Sequence, residues 1–116
     1  MKLIFKIALA ILVLSIQSCG GKVEKSWTIK NFSEGKIFKL KGKEGKFYAA
    51  ALVYVRGNVD QNICFRRNLS DEAECREFSK DTTFIRSRYD YYGGEFSYQL
   101  LPSKAKGEIT VTIELP

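Results

Sequence analysis

A two-residue alternation of apolar and polar side chains constrains the fold of this chain more than any other feature. In residues 108–115 (EITVTIEL), Ile, Val, Ile and Leu occupy one set of alternate positions, while Glu and Thr occupy the other. Residues 96–100 (FSYQL) repeat the pattern. Because successive side chains of a β-strand point to opposite faces, this period predicts strands with one buried face.

Residues 46–56 (KFYAAALVYVR) are apolar at both sets of alternate positions, which predicts a central strand covered on both sides. Gly45 and Gly57 flank this segment, and its β-branched end argues against a helix. Weaker strand candidates are residues 26–30, 36–41, 62–66, 75–79 and 82–88. About eight short strands separated by turn residues are typical of a small all-β sandwich or barrel. We expect a single-domain antiparallel β-sandwich over residues 26–116.

Residues 1–18 have the composition of an export signal. Lys2 and Lys6 form a positive segment, and a largely apolar run follows from Ile7 to Ile16. This run is half the length of about 20 residues that a membrane-spanning helix requires, so it fits the helical core of a signal peptide. Removal of the signal would leave 98 of the 116 residues, enough for one modest core.

The motif IQSC at residues 16–19 resembles the lipobox of bacterial lipoproteins. The resemblance implies that the sulfur of Cys19 takes a diacylglyceryl group, that cleavage precedes Cys19, and that the new amine is acylated as well. Two or three acyl chains anchor a protein stably, so it implies attachment to the bacterial cell envelope. Gly20 after the cysteine favours the outer membrane, and residues 19–25 are expected to form a tether. The alternative is ordinary signal cleavage, which would release a soluble secreted protein.

Cys64 and Cys75 form an even pair in an exported domain, which predicts a structural disulfide. Their separation is far from the C-x-x-C spacing of redox sites. Zinc would need further cysteine or histidine ligands. Asp71 and Glu74 between them have capping-box spacing, so we expect a short helical turn there.

The chain contains no histidine, which excludes Ser-His-Asp and Cys-His catalysis and any histidine-ligated metal site. Carboxylates remain as the catalytic acids available, and we expect those in loop-like positions to be solvated turn residues. They are Asp60, Asp71, Asp81 and Asp90. The sequence has no phosphate-binding loop, so we predict a protein without catalysis, cofactor or metal. Two carboxylates facing one cleft would instead favour a weak hydrolase.

The chain carries a net charge of +6, to which lysines between residues 36 and 46 and four arginines contribute. Basic groups of this kind favour anionic phospholipid, lipopolysaccharide or acidic protein as partners. Export argues against nucleic acid. The lysines have a simpler explanation too, because lysine commonly protects the exposed edge of a β-sheet.

Residues 86–94 (RSRYDYYGG) place three tyrosines beside two arginines at a Gly-Gly turn. Rigid aromatic rings next to guanidinium groups are typical of binding sites, and such a surface suits acidic sugars or acidic proteins. We therefore predict that part of this group forms an exposed binding surface. Arg86 and Arg88 should share one strand face and Tyr89 the other, and at least one of Tyr91 and Tyr92 should point outward beyond the strand. The tyrosines could instead close the end of the sandwich. The candidate residues are Arg86, Arg88, Tyr89, Tyr91 and Tyr92.

These features predict a lipid-anchored, non-catalytic envelope protein that serves as a binding or accessory module. The alternative is an inhibitor or immunity-type lipoprotein that blocks a toxin or hydrolase. A shallow aromatic groove would favour a sugar or lipid ligand. A rigid protruding loop at residues 65–74 would favour insertion into the cleft of another protein.

Overall fold

The computed structural model describes residues 21–67, 75–91 and 93–116, and the described chain contains strands and no helix. The predicted signal-peptide helix and the predicted turn at residues 71–74 lie outside these ranges. The eight strands are β1 (Val23–Ile29), β2 (Lys36–Lys41), β3 (Ala50–Val59), β4 (Ile63–Arg67), β5 (Arg76–Phe78), β6 (Phe84–Asp90), β7 (Glu95–Leu100) and β8 (Gly107–Leu115).

The strands form two four-stranded sheets, each antiparallel throughout. The front sheet has the order β1-β8-β3-β6, and the back sheet has the order β2-β7-β4-β5. This arrangement confirms the predicted all-β sandwich of about eight short strands. Every strand inferred from the sequence is present, with ends displaced by a few residues.

The core lies between the two sheets and is built from the alternate residues that the sequence pattern singles out. Ile109, Val111, Ile113 and Leu115 of β8 are all fully buried. From the back sheet, the rings of Phe65 and Tyr98 stack in the core with centroids 5.5 Å apart, and Phe38 meets Trp27 of β1 edge-on at 5.2 Å. Aromatic contacts of this kind stabilise the sandwich beyond the apolar area that they bury.

The central strand differs from its prediction in position and in cover. β3 begins at Ala50, so residues 46–49 belong to the preceding loop, where Phe47 is 84% exposed. Its outer face is covered only in its first part, because Arg56 is exposed and Tyr54 is half-buried. The neighbours of Tyr54 on that face are Thr112 and Arg86. A short hydroxyl side chain and a charged one do not cover an aromatic ring as a second apolar layer would.

The predicted tether at residues 19–25 is too long. β1 begins at Val23, because Val23, Glu24 and Lys25 pair with the last three residues of β8. The described chain therefore enters the front sheet directly after Lys22, and residues 23–25 of the predicted tether belong to β1.

Candidate functional site

The structure divides the predicted arginine-tyrosine surface between two faces of β6. Arg86 and Arg88 are exposed on the outer face of the front sheet. Tyr89 points inward, where its hydroxyl lies 2.8 Å from that of Tyr98 in a hydrogen bond and its ring lies 5.8 Å from Phe96. Burial raises the pKa of the Tyr98 hydroxyl. Because β6 continues to Asp90, strict alternation separates the arginines from Tyr89.

Tyr91 is a core residue rather than a binding residue. It is 3% exposed, donates a hydrogen bond to the carbonyl of Gly94, and meets Tyr48 edge-on with ring centroids 6.1 Å apart. Of the candidate group, the structure therefore leaves Arg86 and Arg88 exposed, places Tyr89 on the opposite face of β6, and buries Tyr91. Tyr91 closes the end of the sandwich, the alternative considered for these tyrosines, and Tyr92 lies outside the described residues.

The outward-facing arginines of β6 belong instead to a regular grid on the outer face of the front sheet. Strand register sets residues of β1, β8, β3 and β6 side by side in three rows. In that strand order, the rows are Glu24–Glu114–Leu52–Arg88, Ser26–Thr112–Tyr54–Arg86 and Thr28–Thr110–Arg56–Phe84. The grid brings four strands that are distant in sequence into one surface.

Two aromatic rings and two guanidinium groups form the most distinctive part of this grid, which we call the aromatic platform (Tyr54, Arg56, Phe84 and Arg86). The rings of Tyr54 and Phe84 lie nearly parallel, with centroids 6.3 Å apart. The guanidinium carbon of Arg56 lies 5.3 Å from the Phe84 ring, and that of Arg86 lies 5.9 Å from the Tyr54 ring. Cation–π contacts of this geometry hold long side chains against a flat apolar surface. Phe84 remains 43% exposed.

The platform borders a shallow depression of about 390 Å³, which is open to solvent. Thr110 and Thr112 line it with hydroxyl groups, and Glu24 and Glu114 close one side. The hydroxyl of Thr112 lies 2.8 Å from that of Ser26 in a hydrogen bond. The volume is in the range of small-molecule sites, and the depression combines aromatic faces with hydrogen-bonding groups.

Glu24 and Glu114 are the two carboxylates that face each other across β1 and β8. The Lys22 ammonium lies 3.1 Å from a carboxylate oxygen of Glu24 and 3.6 Å from one of Glu114. The hydrogen bond from Lys22 to Glu24, together with the charges of both carboxylates, raises the pKa of Lys22. One ammonium therefore holds both carboxylates in ion pairs.

Three of the four loop aspartates have surface or turn contacts. Asp60 accepts a hydrogen bond from the Lys106 amide at 2.6 Å, which joins two connecting segments. Asp90 pairs with Arg88 at 3.7 Å, and the Asp81 amide donates to Ser79 Oγ at 3.2 Å in a turn. Asp71 lies outside the described residues. Among the described residues, no group of three potential ligands is placed to hold a metal ion.

The lysine cluster divides into two parts. Lys36, Lys39 and Lys41 lie on β2, which is an edge strand of the back sheet, as expected of lysines that protect an edge. Lys43 and Lys46 lie in the loop between β2 and β3, beside the exposed Phe47.

No helix in the described part of the chain is long and apolar enough to cross a membrane.

Cys64 and Cys75 are joined in a disulfide, with their Cα atoms 5.6 Å apart, which confirms the predicted pairing. The bond links β4 to the residue that precedes β5, a strand of three residues at the other edge of the back sheet. β5 pairs with β4 through Ile63–Phe78, Cys64–Glu77 and Phe65–Arg76. The disulfide therefore stabilises the shortest strand of the sandwich.

Sequence reasoning missed Tyr54 and Phe84. Tyr54 was taken as part of a strand covered on both sides, and Phe84 was not singled out within its strand. A usable signal was present, because Phe84, Arg86 and Arg88 occupy alternate positions and must share one face of a strand.

Comparison with known proteins yields similarity of fold alone. No protein-family model matches this sequence, and no curated protein matches it. Among solved structures, the chain is similar to a protein of the Bacillus endospore appendages, described as a novel family of disulfide-linked pili. The identity is 11% and the TM-score 0.53, over 81% of this chain and 85% of that one.

Two further solved structures are more loosely similar. PirA has 10% identity and a TM-score of 0.48, over 76% of this chain and 90% of that one. An arginine-to-alanine variant of the carbohydrate-binding module CBM29-2 has 13% identity and a TM-score of 0.41, over 84% and 82% of the two chains.

Proposed function

We propose that this protein is a lipid-anchored, non-catalytic binding module of the bacterial cell envelope, and that its aromatic platform binds glycans that carry acidic groups. The observation that carries the proposal is the exposed stack of Tyr54 and Phe84, with the guanidinium groups of Arg56 and Arg86 beside the two rings. Aromatic rings are large and rigid contact surfaces, and they lose little conformational entropy on binding.

The chemistry of a sugar ring fits this surface. The C–H face of a pyranose is apolar and flat, so it packs on an aromatic ring, while its hydroxyls need hydrogen-bonding partners at the edge. Thr110 and Thr112 supply hydroxyl groups at that edge. Arg56 and Arg86 add planar donors that match the geometry of a carboxylate or sulfate. The depression is open, so a polymer could extend beyond it in either direction.

The charges around the depression favour binding over hydrolysis. Lys22 contacts both Glu24 and Glu114, so these carboxylates are engaged in ion pairs at the side of the depression. Repulsion from these carboxylates, which lie on β1 and β8, would direct an acidic substituent towards the platform arginines on β3 and β6.

The envelope location in this proposal rests on the lipobox-like motif at residues 16–19. Acylation of Cys19 would hold the sandwich at the membrane surface through the short segment before Val23. Of the alternatives drawn from the sequence, a shallow aromatic groove was the feature expected of a module that binds sugar or lipid. The loop expected of an inhibitor, residues 65–74, lies mostly outside the described residues, so the proposal follows the aromatic platform.

The test is binding of the purified mature protein to an array of neutral and uronic-acid-containing oligosaccharides. We expect selective binding of the acidic members. Phe84→Ala should weaken that binding about 30-fold, which corresponds to about 2 kcal/mol, the typical loss at a hot-spot aromatic. Arg86→Gln should weaken binding of acidic oligosaccharides more than of neutral ones, because it removes charge and leaves both rings in place.

Phe47→Ala is the matched control, since Phe47 is another exposed phenylalanine and lies outside the platform. It should bind as the wild type does, and both alanine variants should remain folded and unfold cooperatively on heating. Equal affinity of Phe84→Ala and the wild type would show that the platform is not the binding surface. A protein that binds no oligosaccharide on the array would contradict the proposed ligand class.

A further inference from the structure

The loop between β2 and β3 (residues 42–49) combines cationic groups with one exposed aromatic side chain. Lys43 and Lys46 are exposed, Lys41 at the end of β2 adds a third ammonium, and Glu44 is the loop's single acidic residue. Phe47 is 84% exposed, the largest exposed fraction among the large hydrophobic residues described. An isolated aromatic ring among lysines is poorly suited to water and well suited to the interface of an anionic bilayer.

The loop is fastened to the start of the described chain through Tyr48. The Tyr48 hydroxyl donates a hydrogen bond to the Gly21 carbonyl at 2.6 Å and accepts one from the Lys43 amide at 3.1 Å. Its ring is buried and meets Tyr91 edge-on. The contacts of Tyr48 therefore fix the backbone beside Phe47, and Phe47 lies next to the point where the chain enters the sandwich.

Cys19 is two residues before Gly21, and two residues of extended chain span at most about 7 Å. Whatever path those residues take, acyl chains on Cys19 would bring the bilayer surface to the 42–49 loop. We infer that this loop is a second membrane contact, with Phe47 inserted into the interfacial region of an anionic bilayer and Lys41, Lys43 and Lys46 against lipid phosphate groups. The inference rests on the lipid anchoring that the proposed function includes.

A second contact would fix the orientation of the sandwich on the membrane. A flexible anchor alone lets a domain tilt freely, whereas an anchor plus a neighbouring inserted ring restricts the tilt. The start of β1 and the ends of β2, β6 and β8 lie at the membrane end in this orientation. Phe84 begins β6, six residues before Asp90, so it would stand about 20 Å further from the membrane, where a glycan can reach it.

The experiment places a single tryptophan in the lipidated full chain. Trp27, the one natural tryptophan, is replaced by phenylalanine, and Phe47→Trp is introduced. The protein is reconstituted into phosphatidylglycerol–phosphatidylcholine vesicles whose acyl chains are brominated. Tryptophan at position 47 should lose about half of its fluorescence, because interfacial side chains reach the top of the acyl region. Phe84→Trp in the same background is the matched control and should keep its fluorescence.

The charge of the lysines is tested separately. Lys43→Gln with Lys46→Gln should reduce the quenching at position 47 in phosphatidylglycerol-containing vesicles, and the reduction should be small in vesicles of phosphatidylcholine alone. Equal quenching with and without the lysines in both vesicles would overturn the electrostatic part of the inference.

Intact mass and glycan binding of the same preparation separate the possible failures. An acylated protein whose tryptophan at position 47 is unquenched overturns the inference and leaves the anchoring intact. Crosslinking of the loop to an envelope protein, without quenching by lipid, would also overturn the inference and leave the anchoring intact. An unacylated Cys19 overturns the anchoring and the inference together. Loss of glycan binding with quenching preserved contradicts the proposed ligand and supports the membrane contact.

Discussion

Replacing Cys19 with serine should leave an unprocessed, unacylated precursor that no longer attaches to the membrane through lipid. The thioether to the diacylglyceryl group forms at a thiol, and a serine hydroxyl is a far weaker nucleophile at neutral pH. Membrane attachment through lipid should be lost completely, since even one acyl chain gives only marginal attachment and the variant carries none. Intact mass of the detergent-extracted protein measures it directly, because the variant should retain residues 1–18 and lack the acyl mass.

Ser18→Ala is the matched control for Cys19→Ser. It keeps a small residue before the cysteine, so processing and acylation should proceed as in the wild type. Globomycin, which inhibits the lipoprotein signal peptidase, should make the wild type accumulate as an acylated precursor. A wild-type protein that is soluble and unacylated would refute the lipobox interpretation of residues 16–19.

The sequence predicted those parts of the fold in which a single strand shows a clear alternation of apolar and polar residues. Residues 108–115 alternate strictly, and all four of their apolar side chains are fully buried in the core. The period of two is a local property, so a single segment is enough to assign its faces. The pairing of Cys64 with Cys75 was predictable from the count of cysteines, because one cysteine was assigned to the lipobox and two remained.

Surface exposure in the middle of a sheet was not predictable in the same way. Tyr54 lies in an apolar run, and only its neighbours decide whether its outer face is covered. Those neighbours are Arg86 and Thr112, which come from distant parts of the sequence. Aromatic rings beside arginines were expected within residues 86–94, whereas the exposed rings beside arginines in the structure are those of Tyr54 and Phe84. Tyr89 lies opposite the arginines, as alternation within the strand requires, and Tyr91, just beyond the end of β6, is buried.

Removing the disulfide should destabilise the domain substantially. Cys64 and Cys75 are 11 residues apart, and closing a loop of this size is worth about 2.8 kcal/mol in the chain-entropy model. A domain of this size has a total stability of about 5–10 kcal/mol, so the loss is a large fraction of it. Equilibrium urea denaturation of the mature protein with Cys64→Ala and Cys75→Ala should show a lower midpoint with the slope changed little.

The position of the bond predicts which part of the sandwich responds most. β5 contributes only Arg76–Phe78 and has one pairing partner, β4, so the disulfide and three paired positions hold it in place. Phe78 is fully buried, and its release would also open the core beneath β4. Hydrogen exchange should therefore accelerate first at β5 and then at β4, while β8, paired on both sides, stays protected. Wild-type protein reduced under native conditions should behave as the double alanine variant does. Unchanged stability in both samples would mean that the packing of Phe78 holds this edge without the covalent link.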